Sequence, residues 1–461
     1  MKPELSKIKT IVVVMMENRS FDHMLGYLSL PPFNRTDVDG QSTDPAWLAR
    51  YTNSEPDQSV QPFHSTNPYT MPTEFDPPHE RSNIADQIGT IQNGVYPMNG
   101  FVNAIPNSIS FDPKVRRLVM SYFGAEEAPM NDFLATNFTI CDNWFCSLPA
   151  GTQANRLMSM SGISMIDTNV HLLPRQDLVY DWLTAHKVSW RVYHQGIPFF
   201  TLMLKWIPDI LFDSDHFRSF NDDFEKDLEE TPPDQLPQVI FIEPTYGDGP
   251  HIGFSTDEHA PAGISDGQEF LMRIYTVVID PSIWENVLLI VDYDEHGGFF
   301  DHVSPPLITT DPPSGANYPQ FKSLGVRVPA YVISPFVQRG DVSHILLDHT
   351  SVLKLFGEKF DSAGSYSPVV DARPVKSVSE ILRFDNPILN PPPAPALDGY
   401  LAKRPPAPIV TVPELKTPLQ IAFSDALVNL RQQGAGPDHP KFGELIQKVD
   451  AHASGTAPLL S

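Results

Sequence analysis

Two pairs of oxygen-bearing side chains directly follow long apolar runs of the sequence. Glu17 and Asn18 come after TIVVVMM, and Asp294 and Glu295 come after NVLLIVDY. Carboxylate and amide oxygens are the ligands that hard divalent cations prefer, so the pairs predict one site for Ca²⁺, Mg²⁺ or Mn²⁺, with Zn²⁺ and Fe as alternatives. A lone acidic residue after a strand more often caps a neighbouring helix. Adjacent pairs after two strands favour the cation.

Four histidines stand in proline-rich loops. His64 lies in QPFHSTNP, His79 in DPPHERSN, His259 in TDEHAP and His302 in FFDHVSPP. Proline restricts the backbone beside it, so we expect these rings to be held in place. An imidazole fixed near a reacting group can give or take a proton. For His79, an ordinary solvated loop residue is an equally good interpretation.

The best candidate nucleophile is a threonine at the start of a helix. The sequence contains neither the G-x-S-x-G elbow nor an H-E-x-x-H motif. In SLPAGTQANRL, a Pro-Ala-Gly turn places Thr152 at a helix N-terminus, where N–H groups and the helix dipole favour an anion. An ordinary helix cap is the alternative reading of Thr152. The run HGGF (296–299) faintly resembles the oxyanion loop of lipases and leaves a carboxylester hydrolase open.

The apolar runs that lead to these residues have the pattern of buried strands. Four runs are rich in Val and Ile and nearly continuous in hydrophobicity, as in strands covered on both faces. They span 10–16, 238–243, 286–293 and 328–335. Helical patterns separate them, at 131–138, 154–162, 266–279 and 349–360. The alternation predicts an α/β fold with a doubly wound, mostly parallel sheet, whose ligands bind beyond the carboxyl ends of the strands.

Composition excludes some functions. The 461 residues carry a formal charge of −24, so a broad basic face for nucleic acid is not expected. The first apolar run is too short to cross a membrane and no signal-peptide cleavage site follows it, so we expect at most peripheral membrane contact. A cytoplasmic protein and an exported one that has lost its signal fit equally well. Cys141 and Cys146 suit either one local bridge or two buried thiols. The oligomeric state is open.

The predicted domain organisation is one large domain with a C-terminal extension. Residues 1–389 form the main domain, with long insertions near 34–97 and 163–236. Residues 390–461 begin with a proline-rich linker, and two short helices are predicted at 416–433 and 440–451.

Five sequence motifs together resemble a known family. They occur in the expected order and are ENRSFDH (17–23), PFH (62–64), AGTQANR (150–156), DEHGGFFDHVSPP (294–306) and GVRVPAYVISPF with DHTSVLK (325–354). The chain thereby resembles the phosphoesterases that include bacterial phosphatidylcholine-cleaving phospholipases C, plant non-specific phospholipases C and metal-dependent acid phosphatases. The resemblance implies an alkaline-phosphatase-like fold.

The resemblance also implies roles for individual residues. Thr152 would be the nucleophile and, with the two strand-end pairs named above, a ligand of the metal. His64 and His259 would be catalytic and face the phosphate. Substrate-binding roles would fall to Asn155, Arg156, His79 and His302.

The implied activity is hydrolysis of a phosphodiester, such as a phosphocholine-type lipid, through a phosphothreonine. The first alternative is an acid phosphatase that acts on phosphomonoesters. A carboxylester hydrolase and a non-catalytic, metal-stabilised binding protein are the alternatives from other classes.

Overall fold

The four predicted strands lie side by side at the centre of one sheet. The computed structural model describes residues 3–55, 58–72, 75–105, 112–213, 215–250, 255–405 and 417–453. Its main sheet has eight strands in the order β13-β6-β12-β11-β1-β10-β8-β9. These strands are β1 (Thr10–Met16), β6 (Thr139–Cys141), β8 (Trp190–His194), β9 (Phe217–Ser219), β10 (Val239–Glu243), β11 (Val287–Tyr293), β12 (Ala330–Ile333) and β13 (Val342–Ser343). Short two-stranded pairs join β2 (Asn53–Glu55) to β3 (Gln58–Val60), β4 (Phe63–His64) to β5 (Ser121–Tyr122) and β7 (Trp144–Phe145) to β14 (Leu347–Asp348).

The helices follow the predicted alternation. They are α1 (Phe21–Met24), α2 (Pro45–Arg50), α3 (Arg81–Ile88), α4 (Pro113–Arg116), α5 (Pro129–Asn137), α6 (Thr152–Ser161), α7 (Val179–Ala185), α8 (Ile207–Phe212), α9 (Glu225–Glu230), α10 (Ser265–Val278), α11 (Pro281–Trp284), α12 (Thr350–Phe360), α13 (Pro368–Ala372), α14 (Asp398–Leu401), α15 (Pro418–Gln432) and α16 (Gly443–Ala453). No helix among the described residues is both long and apolar enough to cross a membrane.

The predicted fold class is confirmed. Strand β1 pairs in parallel with both β10 and β11, and β10 pairs in parallel with β8. Every residue of β10 and β11 is buried, as expected for strands covered on both faces. Strand β12 is the exception to the parallel arrangement, because it runs antiparallel to β11 and β6. Two sheet strands, β8 and β9, come from the stretch 163–236, which the sequence had suggested was an insertion.

The C-terminal helices pack on the main hydrophobic core. Leu419, Phe423 and Leu430 of α15 and Ile446 of α16 are buried in the same apolar cluster as the central strands. The two predicted C-terminal helices are therefore present, and residues 406–416 of the predicted linker lie outside the described part. The division of the chain at residue 389 stays a prediction.

A buried ion network ties the segment after β1 to the segment after β11. Arg327 donates from Nη2 to Asp22 at 3.0 Å and from Nε to Asp301 at 3.2 Å. His302 lies in the same network, with Nδ1 2.8 Å from Asp22 Oδ2 and Nε2 3.0 Å from Asp39 Oδ1. Burial alone would lower the pKa of His302, but Asp22 and Asp39 raise it to about 9.

This pKa predicts that stability falls at alkaline pH. The raised pKa of His302 stabilises the folded state fully below its unfolded value of 6.5, and the contribution disappears as pH rises through about 9. Between about pH 7 and 10 the loss should be about 2–3 kcal/mol. Urea unfolding of the wild type and His302→Gln across this range measures it. The wild type should show the steeper decline, and parallel declines would contradict the assignment.

Candidate active site

The two oxygen-bearing pairs meet because their strands pair in register. Met16 of β1 lies opposite Tyr293 of β11, so the residues that follow the two strands leave the sheet at the same level. The Asn18 backbone N–H donates to Asp294 Oδ1 at 3.2 Å. All four side chains, those of Glu17, Asn18, Asp294 and Glu295, are buried.

The turn after β11 needs glycine. Gly297 has φ +62°, and a Cβ placed there would lie 2.2 Å from the Asn18 carbonyl oxygen. The Gly297 N–H donates to Glu295 Oε2 at 2.9 Å. His296 is buried, with Nε2 2.8 Å from Gln87 Oε1. The HGGF run therefore shapes a turn that packs closely on the Asn18 backbone and holds the Glu295 carboxylate.

Thr152 is the first residue of α6, as the sequence predicted. Its hydroxyl donates to Glu17 Oε1 at 3.2 Å, and the side chain is fully buried. Asn155 fixes the preceding loop, because its Oδ1 accepts from Leu148 N at 3.0 Å and its Nδ2 donates to Ala150 O at 2.7 Å. The contacts of Asn155 thus hold the turn that presents Thr152.

Arg156 lies one helical turn after Thr152 and bridges both strand ends. Its Nε donates to Asp294 Oδ2 at 3.1 Å, and its Nη2 lies 3.5 Å from Glu17 Oε2. Its Nη1 donates to the Tyr246 hydroxyl at 3.0 Å. Burial alone would lower the pKa of Arg156, but Tyr246, Asp294 and Glu17 raise it above the usual value. The guanidinium therefore stays charged between the carboxylates.

His259 contacts the same oxygen as Thr152. Its Nδ1 lies 3.5 Å from Glu17 Oε1 and 3.5 Å from Asp248 Oδ2, and its Nε2 lies 3.3 Å from Asp76 Oδ1. Burial would lower the pKa of His259, but Asp248, Asp76 and Glu17 raise it well above the ordinary range. The ring is therefore held in its protonated form.

His79 stands next to His259 in the site. The two ring centroids are 5.6 Å apart, and His79 Nδ1 lies 2.7 Å from the Pro77 carbonyl oxygen. That contact leaves Nε2 facing Glu295 Oε1 at 4.0 Å. Burial would lower the pKa of His79, but Glu295 and Asp76 raise it to about 9.

The oxygen atoms at the two strand ends are of the kind that a hard divalent cation binds. Within the described part of the chain, both polar atoms of the Asn18 side chain and Oε1 of Glu295 are buried without a hydrogen-bond partner. Burial and the neighbouring carboxylates of Glu17 and Glu295 raise the pKa of Asp294 well above its usual value, despite Arg156. A divalent ion would bind to these oxygen atoms and reduce the electrostatic repulsion between the carboxylates.

Most of the predicted site residues converge here, and two lie elsewhere. His302 lies in the ion network described above. His64 also lies outside the site, because its Nε2 is 2.8 Å from Glu127 Oε2 and the His64 side chain is 45% exposed. The sequence reasoning missed Asp76, Asp248 and Tyr246. Asp76 stands three residues before His79 and could have been noticed, whereas nothing local marks Asp248 or Tyr246.

The fold and site define an α/β protein that gathers acidic, imidazole and hydroxyl groups where strands of a mostly parallel sheet end. The chain belongs to the Phosphoesterase family, whose model matches residues 8–362. The family that the sequence motifs suggested is confirmed.

Named relatives include plant and bacterial proteins. The chain is 34% identical to non-specific phospholipase C3 of Arabidopsis thaliana over 368 residues, which cover 74% of this chain and 65% of that protein. It is 30% identical to phospholipase C B of Mycobacterium tuberculosis over 410 residues, 77% of this chain and 74% of that protein. The match thus spans slightly less than two thirds of this plant relative's length.

Among solved structures, the likeness is weaker. A member of the alkaline phosphatase superfamily from Vibrio parahaemolyticus aligns at a TM-score of 0.30 and 12% identity, over 53% of this chain and 62% of that chain.

The turn at Gly297 yields a direct test of the donor geometry. Gly297→Ala should destabilise the protein and weaken Mn²⁺ binding, because the new Cβ would collide with the Asn18 backbone. Gly364→Ala is the matched control, since Gly364 also has positive φ (+74°) but nothing lies within 4 Å of a Cβ there. The control should cost about 1–2 kcal/mol in urea unfolding and leave Mn²⁺ affinity unchanged. Equal effects of both variants would contradict this account.

Proposed function

We propose that this protein is a metal-dependent phosphoester hydrolase of the phospholipase C type, which cleaves a phosphodiester through a phosphothreonine at Thr152. One observation carries the proposal. Glu17 Oε1 lies 3.2 Å from the Thr152 hydroxyl and 3.5 Å from His259 Nδ1, so one carboxylate oxygen aligns a nucleophile with a protonated imidazole. The relatives' names support the substrate class.

The cation would be held by Glu17, Asn18, Asp294 and Glu295, beside Thr152. When bound, it supplies positive charge that lowers the pKa of a neighbouring hydroxyl and offsets charge on phosphoryl oxygens. We favour Ca²⁺, Mg²⁺ or Mn²⁺ because every predicted donor is an oxygen.

The residues of the chain divide the reaction between them. Thr152 Oγ1 gives its proton to Glu17 Oε1, which accepts its hydrogen bond, and attacks phosphorus at the N-terminus of α6, where N–H groups and the helix dipole favour the phosphoryl oxygens. The bond from phosphorus to the leaving alcohol breaks, and His259 gives that alcohol its proton. Neutral His259 then takes a proton from water, and the oxygen of that water attacks phosphorus. The bond from phosphorus to Thr152 Oγ1 breaks, and Oγ1 takes its proton back from Glu17. His79 and Arg156 add positive charge beside the phosphoryl group.

The geometry assigns no chemistry to the other predicted residues. Asn155 supports the loop before Thr152, and His64 pairs with Glu127. His302 is held by Asp22 and Asp39 in the ion network. We therefore transfer the role predicted for His64, facing the phosphate, to His79.

Removing the Thr152 hydroxyl tests the nucleophile. Thr152→Ala should lower hydrolysis of p-nitrophenyl phosphorylcholine by at least about a thousandfold, as loss of a covalent nucleophile does. Thr152→Ser keeps a hydroxyl and should keep measurable activity. Chelation of the wild type should abolish hydrolysis, and Mn²⁺ should restore it. Acid-quenched wild type should carry phosphate on Thr152.

The same assay separates the alternatives. Hydrolysis of p-nitrophenyl phosphate but not of p-nitrophenyl phosphorylcholine would favour a phosphatase that acts on phosphomonoesters. Hydrolysis of p-nitrophenyl acetate that resists chelation would favour a carboxylester hydrolase. A Thr152→Ala protein with wild-type behaviour in every assay would contradict the proposed nucleophile.

The role of His259 predicts a dependence on the leaving group. A basic alkoxide needs a proton in order to leave, whereas p-nitrophenolate needs little help. His259→Gln should therefore slow formation of the phosphothreonine, followed as a pre-steady-state burst, by about 10²–10⁴-fold with dioctanoyl phosphatidylcholine and much less with p-nitrophenyl phosphorylcholine. His64→Gln is the control and should affect both substrates weakly. Equal losses on both substrates in His259→Gln would exclude the proton-donor role.

A further inference from the structure

The C-terminal helix α15 reaches the support of the active site through one aromatic side chain. Phe423 is 1% exposed. Its ring centroid lies 5.4 Å from that of Tyr246 and 6.1 Å from that of Phe199. Phe423 lies after the segment 8–362 that the family model matches. We call Phe199, Tyr246 and Phe423 the aromatic cage.

Two members of the cage flank the guanidinium of Arg156. Its Cζ lies 4.8 Å from the Tyr246 ring centroid and 5.0 Å from that of Phe199. A guanidinium over an aromatic face is attracted by the ring quadrupole, and the attraction grows when water is excluded. The rings therefore favour one orientation of Arg156, the one that meets Asp294 and Glu17.

A buried carboxylate locks these two rings together. Glu243 Oε2 accepts from the Tyr246 hydroxyl at 3.0 Å and from the Phe199 backbone N–H at 2.5 Å. The Tyr246 hydroxyl also accepts from Arg156 Nη1. Glu243, Tyr246 and Arg156 are thus one hydrogen-bonded chain. Phe423 covers the rings of Phe199 and Tyr246 from the α15 side, so truncating Phe423 would leave a void beside Tyr246.

We propose that Phe423 is a positioning residue for Arg156, and that α15 is part of the support of the active site. The inference rests on the proposed function, because Arg156 matters through the carboxylates that it orients. Replacing a residue that orients metal ligands without binding the metal itself typically changes metal affinity or activity by about 10–100-fold.

The test compares substitutions within α15. Phe423→Ala should lower kcat/KM for p-nitrophenyl phosphorylcholine by about tenfold. It should also weaken Mn²⁺ binding, measured by electron paramagnetic resonance, by about tenfold. Leu430→Ala is the matched control, because Leu430 is equally buried in the same helix and is absent from the cage. It should lower the Tm by a similar amount and leave kcat/KM and Mn²⁺ affinity unchanged.

Two further variants keep the test decisive. Phe423→Leu preserves most of the side-chain volume and should fold even where the alanine variant does not, with a smaller loss in the same direction. In an Arg156→Ala background, Phe423→Ala should cause no further loss of Mn²⁺ affinity, because the two residues act as a unit.

The outcomes separate the inference from the proposed function. Equal losses in Leu430→Ala and Phe423→Ala would overturn the inference, and so would wild-type kcat/KM and Mn²⁺ affinity in both Phe423 variants. A wild type that hydrolyses no phosphoester would contradict the proposed function instead. The Mn²⁺ measurements would still decide the role of Phe423.

Discussion

The active site depends first on the in-register, parallel pairing of β1 with β11. Seven pairs of residues, from Thr10 opposite Val287 to Met16 opposite Tyr293, fix how far each strand extends. Neighbouring strands lie about 4.8 Å apart, so backbone hydrogen bonds set the spacing of the groups that follow them. A shift of one residue would carry Glu17 away from the level of Asp294 and point it to the other face.

That pairing concentrates acidic side chains in a buried site. Burial and neighbouring carboxylates, Glu17 among them, raise the pKa of Asp248 to about 6 and that of Asp257 to about 7. Burial would raise the pKa of Glu17 as well, but His259 and Arg156 lower it below its usual value. Repulsion between the carboxylates and attraction to the cationic groups thus act on the same few atoms. The surrounding fold holds these groups in position. The repulsion between them destabilises the folded state, and the large hydrophobic core offsets that loss of stability.

Local sequence patterns were sufficient for the central strands and for the four oxygen-bearing residues. Continuous Val and Ile runs mark strands buried on both faces, and Glu17 and Asp294 follow such runs directly. The histidines were harder, because a proline-rich loop looks the same whether it faces the site or not. His259 meets Glu17 there, whereas His64 meets Glu127, and only the fold of the chain decides which partner each finds.

Contacts between distant segments explain the features of the structure that the sequence did not predict. Strand β8 lies in a stretch whose sequence resembles an insertion, because its run WRVYH is short and mixes polar with apolar residues. Tyr246 and Phe423 look like ordinary aromatic residues in the sequence. Tyr246 lies against Arg156, and Phe423 of α15 lies against Tyr246, through packing of segments that are distant in the sequence, which no local periodicity encodes.

The position of β1 in the sheet has a consequence for biosynthesis. Strand β1 lies at the centre of the sheet, between β10 and β11, which are translated much later. Until then, an apolar strand with two unpaired edges is exposed on the nascent chain, a state prone to aggregation. The centre of the sheet therefore cannot form until β10 and β11 have been translated, and chaperones that shield nascent apolar segments should favour the yield of this protein. The same order delays assembly of the site until Asp294 and Glu295 have been translated.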